Sequence, residues 1–89
     1  MQQGSGVVLV SRAGCHLCDE GREVLRRAAA AAGRPWSEVD VDADPELLRR
    51  YSDRVPVVLV DGVERGFGRL EEAHLAAALA GRRWWRRRR

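Results

Sequence analysis

The sequence predicts an α/β domain with one mixed four-stranded sheet flanked by helices, in the order β-α-β-α-β-β-α. Three observations carry this prediction. Short apolar runs without polar alternation are typical of strands that are covered on both faces. Segments whose apolar residues recur with the period of a helix lie between the first of these runs and the runs that follow it. An Asp-Gly pair between two apolar runs is typical of a tight hairpin.

The first half of the chain predicts a strand, a long helix and a second strand. The first strand is expected at 7–11 and the first helix at 16–32. At about 100° per residue, one face of this helix is apolar and the opposite face is charged. Gly33 is placed to end the helix, and Pro35 prevents its continuation. The second strand, at 36–41, is parallel to the first if the helix connects them as a crossover.

A short second helix and a third strand follow. Asp44 offers an N-cap carboxylate, Pro45 suits the first helical position, and a further acidic residue lies in the first turn. This helix is expected to end near Asp53. The third strand is expected at 55–60, again without polar alternation.

The chain is expected to close with a hairpin, a helix and a tail. Asp61-Gly62 is the residue pair preferred in a type I′ turn, so 63–66 should return antiparallel to the third strand. The last helix is expected at about 69–80, ending at Gly81. We therefore divide the chain into a domain at 1–81 and an Arg/Trp-rich tail at 82–89 that is expected to be disordered.

The basic charge of the chain is concentrated in this tail. All 16 basic residues are arginines, and the net charge is +3. Residues 1–81 contain ten arginines against thirteen acidic residues, a net charge of −3. Mixed Arg and Trp residues can bind phosphates and bases or an anionic lipid surface. We favour a solvated terminus without a specific nucleic-acid target.

Targeting signals are absent from the pattern. No apolar stretch approaches the ~20 residues of a membrane span. The first six residues carry no basic charge, and only four apolar residues follow them, which disfavours a signal peptide. Two cysteines are too few for a disulfide scaffold. We expect a cytoplasmic monomer.

Two residues separate the two cysteines, which lie at the junction of the first strand and the first helix. Thiols at this spacing can close a reversible disulfide, and a helix N-terminus stabilises the thiolate of the first one. The helical wheel places Cys15 on the polar side and Cys18 at the edge of the apolar face. Cys15 is therefore the predicted attacking thiolate, and Cys18 the thiol that resolves the mixed disulfide.

Other chemistries fit the same residues less well. Two unreactive core thiols would not explain the polar position of Cys15. A mononuclear zinc site needs four ligands, and only His16 and His74 could add to the cysteines, so no metal ligands are predicted. Haem attachment fails because Asp19, not His, follows Cys18. His74 is expected to be solvated or partly packed.

With Cys15-His16-Leu17-Cys18 after the first strand and Val55-Pro56 opening the third, the chain resembles glutaredoxin-like proteins of the thioredoxin-fold superfamily over about residues 6–80. The resemblance implies that Val55-Pro56 is a cis-proline motif whose preceding backbone pairs with the substrate. It also implies that Arg12 holds a glutathione carboxylate, and that a glycine turn precedes the last helix. The substrate-binding residues expected from this match and from the spacer between the cysteines are Arg12, His16, Leu17, Val55, Pro56, Gly66 and Gly68.

Two departures bear on glutathione. His16-Leu17 replaces the usual Pro-Tyr, and Arg69 and Leu70 stand where the family has an acid for the γ-glutamyl end. The resemblance implies a dithiol–disulfide oxidoreductase with no permanently bound cofactor. Its expected partners are protein disulfides or small-thiol mixed disulfides, with a reductase or a low-molecular-weight thiol such as glutathione as electron donor. The alternative is an adaptor on the same fold, or an iron–sulfur cluster protein in which two subunits each offer Cys15.

Overall fold

The predicted order of elements is confirmed. The structure is a computed structural model that describes residues 6–87, with side chains described for residues 6–80. A short 3₁₀ turn, which the sequence did not predict, connects the second strand to the second helix. The elements are β1 (Val7–Ser11), α1 (His16–Ala32), β2 (Trp36–Asp40), the 3₁₀ turn (Val41–Ala43), α2 (Pro45–Tyr51), β3 (Val57–Val60), β4 (Val63–Phe67) and α3 (Glu72–Arg87).

The four strands form one mixed sheet in the order β2-β1-β3-β4. As predicted, β1 and β2 are parallel and are connected by α1. β3 lies antiparallel to β1, with Val10 opposite Val57, and β4 lies antiparallel to β3 with a bulge next to Gly66. Because β1 and β3 occupy the centre, their apolar runs are buried on both faces.

Each face of the sheet carries its own core. Alternate residues of the central strands point to opposite faces, so each strand supplies both layers. The layer under α1 and α3 contains Val7, Leu9, Leu25, Ala28, Ala29, Ala32, Val58, Val60, Leu70, Leu75 and Leu79. The layer on the α2 side contains Val8, Val10, Val41, Val57 and Leu59, with Val39, Leu47, Tyr51 and Val55 partly buried against it.

The local signals that were used to place turns and caps are confirmed. Gly33 ends α1 in the left-handed region, with φ of 69°. Asp44 caps α2 and accepts hydrogen bonds from the amides of the two residues after Pro45. Asp61 and Gly62 both have positive φ, 53° and 85°, as a type I′ turn requires.

Several boundaries differ from the prediction. β2 ends at Asp40 because its carboxylate caps the 3₁₀ turn by accepting from the Asp42 amide. β3 begins at Val57, not at residue 55, because Pro56 has no N–H to give to the sheet. The helix α2 ends at Tyr51, two residues before Asp53.

The largest difference is at the last helix. α3 begins at Glu72 and continues through Gly81, where we predicted its end, to Arg87. A glycine inside a helix costs only about 1 kcal/mol, and the arginines and alanines around it favour helix. Helical backbone therefore covers 82–87 of the predicted tail, while the side chains of 81–89 and all of 88–89 lie outside the described residues. Within the described part of the chain, no helix is long and apolar enough to cross a membrane.

Candidate active site

Cys15 lies at the start of α1 as its N-cap. Its backbone is extended, and its Sγ accepts a hydrogen bond from the amide of Cys18 at 3.1 Å. The Cys15 amide donates to the carbonyl of Arg12 at 3.3 Å, which closes the loop after β1. The thiol is partly exposed. The Cys15 sulfur is therefore both partly accessible and held against the free N–H groups of a helix start.

Cys18 has the opposite environment one turn further along α1. It is fully buried, so the predicted difference in exposure between the two cysteines is confirmed. Burial raises the pKa of the Cys18 thiol to about 11, and its side-chain hydrogen bond with Cys15 acts in the same direction. A backbone hydrogen bond from Arg12 and the charge of Arg22 oppose this increase in pKa. Cys18 is therefore a protonated, sheltered thiol near neutral pH.

The two residues between the cysteines differ in placement. The His16 side chain is exposed, and its Nε2 lies 3.8 Å from a carboxylate oxygen of Glu20 one turn later. Leu17 is half-buried. Neither residue closes off Cys15, so both remain at the edge of the candidate site.

The Val55–Pro56 peptide bond is cis, as the resemblance implied. Extending the β1–β3 register beyond Val10 and Val57 brings Pro56 opposite Ser11 and Val55 opposite Arg12, at the end of β1 that leads to Cys15. Neither the amide nor the carbonyl of Val55 has a hydrogen-bond partner among the described residues. The backbone at Val55 is therefore an open pairing position.

Glycines let the neighbouring elements approach this segment. The Gly68 amide donates to the carbonyls of Pro56 at 2.9 Å and Arg54 at 3.3 Å, and Gly68 has a φ of 69°. On α1, a Cβ at Gly21 would lie 2.9 Å from Leu70 and 3.1 Å from Pro56. Gly21 thus lets α1 pack directly against Pro56, three residues after Cys18. The sequence placed Gly21 on the apolar face but did not indicate this contact.

Arg12 does not present a free guanidinium. Its Nε and Nη2 atoms donate to the Asp42 carboxylate at 2.9 and 3.0 Å. Its Nη1 atom donates to the carbonyl of Ser52 at 3.0 Å. The hydrogen bond from Arg12 lowers the pKa of Asp42. A glutathione carboxylate that bound Arg12, as the resemblance implies, would have to compete with Asp42 for the guanidinium.

A polar network that the sequence interpretation missed lies beside the cysteines. Arg22 makes a bidentate ion pair with Glu38 on β2, at 2.8 and 2.7 Å, and a further bond to Asp19 at 3.0 Å. The buried Ser11 hydroxyl donates to the same Glu38 carboxylate at 2.5 Å. Hydrogen bonding from Arg22 lowers the pKa of Glu38. The available signal for this network in the sequence was Ser11, the polar residue at which the apolar run of β1 ends.

An aromatic and cationic surface borders Val55 on the other side. Phe67, at the end of β4, is 55% exposed. The guanidinium of Arg54 lies 4.9 Å from the Phe67 ring centre and 6.0 Å from that of Tyr51, and it pairs with Glu64. No role for these side chains was predicted from the sequence. Gly66, beside them, packs against Leu70, and a larger residue at this position would require the Leu70 side chain to shift.

The usual metal-binding side chains, His, Cys, Asp and Glu, are spread along the described residues 6–80. No group of three or more His, Cys, Asp or Glu side chains there is arranged to hold a metal ion. His74 instead makes a hydrogen bond through Nε2 with the carbonyl of Arg65 at 2.6 Å, at the exposed edge of β4.

Comparison with known proteins identifies the family. Residues 6–80 match the Glutaredoxin-like domain (DUF836). The uncharacterized protein Rv0508 of Mycobacterium tuberculosis is 35% identical over 79 residues, covering 83% of this chain and 81% of its own length.

Two solved structures are similar over most of their length. Protein XcR50 of X. campestris has a TM-score of 0.71 and 33% identity, covering 84% of this chain and 96% of its own. Protein Ne2328 of Nitrosomonas europaea has a TM-score of 0.70 and 31% identity, covering 82% and 88%. The chain therefore has a thioredoxin-like fold and belongs to the glutaredoxin-like domain (DUF836) family.

Proposed function

We propose that this protein is a small dithiol–disulfide oxidoreductase that reduces disulfides through Cys15 and Cys18. The observation that carries the proposal is the unequal pair of thiols on one helical turn. Cys15 is partly exposed at the N-cap of α1, whereas Cys18 is buried and protonated beside it. Membership of a glutaredoxin-like family supports redox chemistry of this class.

The reaction has two exchange steps. The Cys15 thiolate attacks one sulfur of a substrate disulfide, forms a mixed disulfide with it and expels the other sulfur as a thiolate, which takes up a proton. Cys18 then loses its proton, attacks Cys15 Sγ and releases the second substrate thiol. The substrate gains two electrons and two protons, and the protein is left with a Cys15–Cys18 disulfide.

The cycle closes when an external thiol reductant returns two electrons and two protons. We place this cycle in a reducing cytoplasm, with a low-molecular-weight thiol or a reductase as donor and no permanently bound cofactor. The protein acts as a monomer, because one chain supplies both thiols. Val55 offers its unpaired backbone groups to an extended substrate segment, and Pro56 holds them beside α1.

The test compares wild type with Cys15→Ser and Cys18→Ser in the reduction of insulin by dithiothreitol. We expect Cys15→Ser to abolish the catalysed rate. When dithiothreitol is omitted, reduced Cys18→Ser should accumulate a mixed disulfide with insulin at Cys15, which mass spectrometry detects. Undiminished activity of Cys15→Ser would contradict the proposal. Sulfur-to-iron absorption in anaerobically purified protein, lost in Cys15→Ser, would favour the cluster-binding alternative.

A further inference from the structure

The arginines of the domain are not equally paired. Ten arginines have described side chains, and eight of them make an ion pair with a carboxylate within 4.0 Å. Arg65 and Arg69 are the two of these ten that make none. Both side chains are exposed, and both line the same groove. The two arginines of the described surface that lack an ion pair therefore lie in the same groove.

This groove lies between the edge strand β4 and the start of α3; we call it the β4 groove, lined by Arg65, Phe67, Arg69, Glu71 and His74. Its volume is about 680 Å³, within the range of roughly 300–1,000 Å³ that is usual for binding sites. Phe67 gives it an exposed aromatic ring. Glu64 lines the groove as well, so two carboxylates, Glu64 and Glu71, oppose Arg65 and Arg69. Glu64 is paired with Arg54, which adds a third positive charge beside the groove and leaves a net charge of +1.

The groove adjoins the proposed substrate-binding backbone. Phe67 is the partner of Val57 across the sheet, and the next residue, Gly68, donates to the Pro56 carbonyl. A chain that pairs with Val55 would therefore extend toward Phe67 and the two unpaired arginines. Apolar contact and opposite charge along one extended path are the features by which a peptide is recognised.

We infer that the β4 groove selects protein substrates whose disulfide is flanked by an acidic segment with an apolar side chain. The apolar side chain packs on Phe67, and the carboxylates face Arg65 and Arg69. This inference rests on the proposed function, because it concerns which disulfides reach Cys15. An oligonucleotide fits the groove less well, because the groove adjoins an open peptide-pairing backbone at Val55.

The experiment uses three peptides that carry the same disulfide flanked by Leu and by acidic, neutral or basic residues. The readout is kcat/KM with dithiothreitol as reductant, at low and at physiological salt. Wild type should prefer the acidic over the basic peptide by about tenfold at low salt, the size expected for two exposed charge pairs, and by less at high salt. The preference should appear in KM, not in kcat.

The variant Arg65→Gln/Arg69→Gln should reduce this preference to about twofold. Arg26→Gln/Arg49→Gln is the matched control, since it removes the same charge from two arginines that are paired with Glu23 and Glu46 elsewhere. It should keep the wild-type preference. A fourth peptide carries Ser in place of Leu in the acidic sequence. Phe67→Ser should reduce the advantage of the acidic Leu peptide over this Ser peptide.

The outcomes separate this inference from the function on which it rests. If wild type reduces none of the three peptides, the proposed oxidoreductase function fails, and the inference fails with it. If all three are reduced with equal kcat/KM, only the inference is overturned. The same holds if the control variant loses the preference to the same extent. Competitive inhibition by an oligonucleotide that disappears in Arg65→Gln/Arg69→Gln would instead assign the groove to nucleic acid.

Discussion

At the scale of single residues, one helical turn gives two identical side chains different chemistry. Cys15 is the N-cap and its sulfur accepts an amide hydrogen bond, whereas Cys18 faces the core with no exposed surface. Two intervening residues are enough to produce this difference, because they move the second thiol from the open end of the helix to the buried face. The difference in exposure and hydrogen bonding is thus a property of the helix start.

The first prediction concerns alkylation. Iodoacetamide at about neutral pH should label Cys15 before Cys18, because only Cys15 is both accessible and held at a helix N-terminus. Peptide mapping over time measures the order. In Cys15→Ser, labelling should become slow and should accelerate in denaturant. Faster labelling of Cys18 in the folded protein would reverse the roles assigned to the two thiols.

The second prediction concerns stability at alkaline pH. Burial raises the pKa of Cys18 to about 11, above the value of about 8.5 for an unfolded thiol. Folding then favours the protonated form, and this contribution is present below about pH 8.5 and is lost as the pH rises toward 11. Under reducing conditions, the free energy of unfolding should fall over that interval more steeply in wild type than in Cys18→Ala. Between about pH 6 and 8 the two curves should be parallel.

At the scale of elements, the sequence predicted best where local signals agree. β1 and α1 begin and end where expected, because a strand buried on both faces, an amphipathic wheel and a terminal glycine all indicate the same limits. The limits failed where one signal was weighed alone. Gly81 alone predicted a helix end, but a glycine ends a helix only when the chain turns there.

The third prediction concerns the start of α2. The Asp44 carboxylate accepts from the amides of Glu46 and Leu47 at 2.8 and 3.4 Å. Asp44→Ala should therefore lower the free energy of unfolding by about 1 kcal/mol. Asp53→Ala is the control, because this exposed carboxylate makes no hydrogen bond or ion pair among the described residues. Denaturant titration measures both variants, and equal losses would contradict a capping role.

At the scale of the whole molecule, the candidate site is made by contacts that are distant in sequence. The cysteines and the proline segment could be predicted because each is a short motif. The ion pair of Arg12 could not be predicted, because its partner Asp42 is 30 residues away and is positioned by an unpredicted 3₁₀ turn. The same is true of Arg22 with Glu38. A motif indicates which side chains are present, whereas the fold determines which of them already have a partner within the protein.

The last prediction follows from the occupied Arg12. Glutathione should be a poor reductant, because its carboxylate must displace Asp42 from Arg12 and Arg69 stands where an acid would bind its ammonium. Losing one charge-assisted hydrogen bond of roughly 1.5–3 kcal/mol weakens binding by about tenfold to a hundredfold. Asp42→Ala frees two donor groups of Arg12 and should lower the KM for glutathione by at least about threefold.

Coupled turnover with glutathione, glutathione reductase and hydroxyethyl disulfide measures this effect. Glu23→Ala likewise removes a carboxylate from an ion-paired arginine, Arg26, elsewhere on the surface, and should leave the KM for glutathione at its wild-type value. In Asp42→Ala, the further change Arg12→Gln should cancel the gain. Circular dichroism checks that each variant is folded. The explanation is wrong if wild type already turns over glutathione with a KM in the usual range of about 1 μM to 1 mM, and Arg12→Gln abolishes that activity. In that case Arg12 would exchange Asp42 for the ligand at little cost, and the ion pair would serve to position the guanidinium for binding.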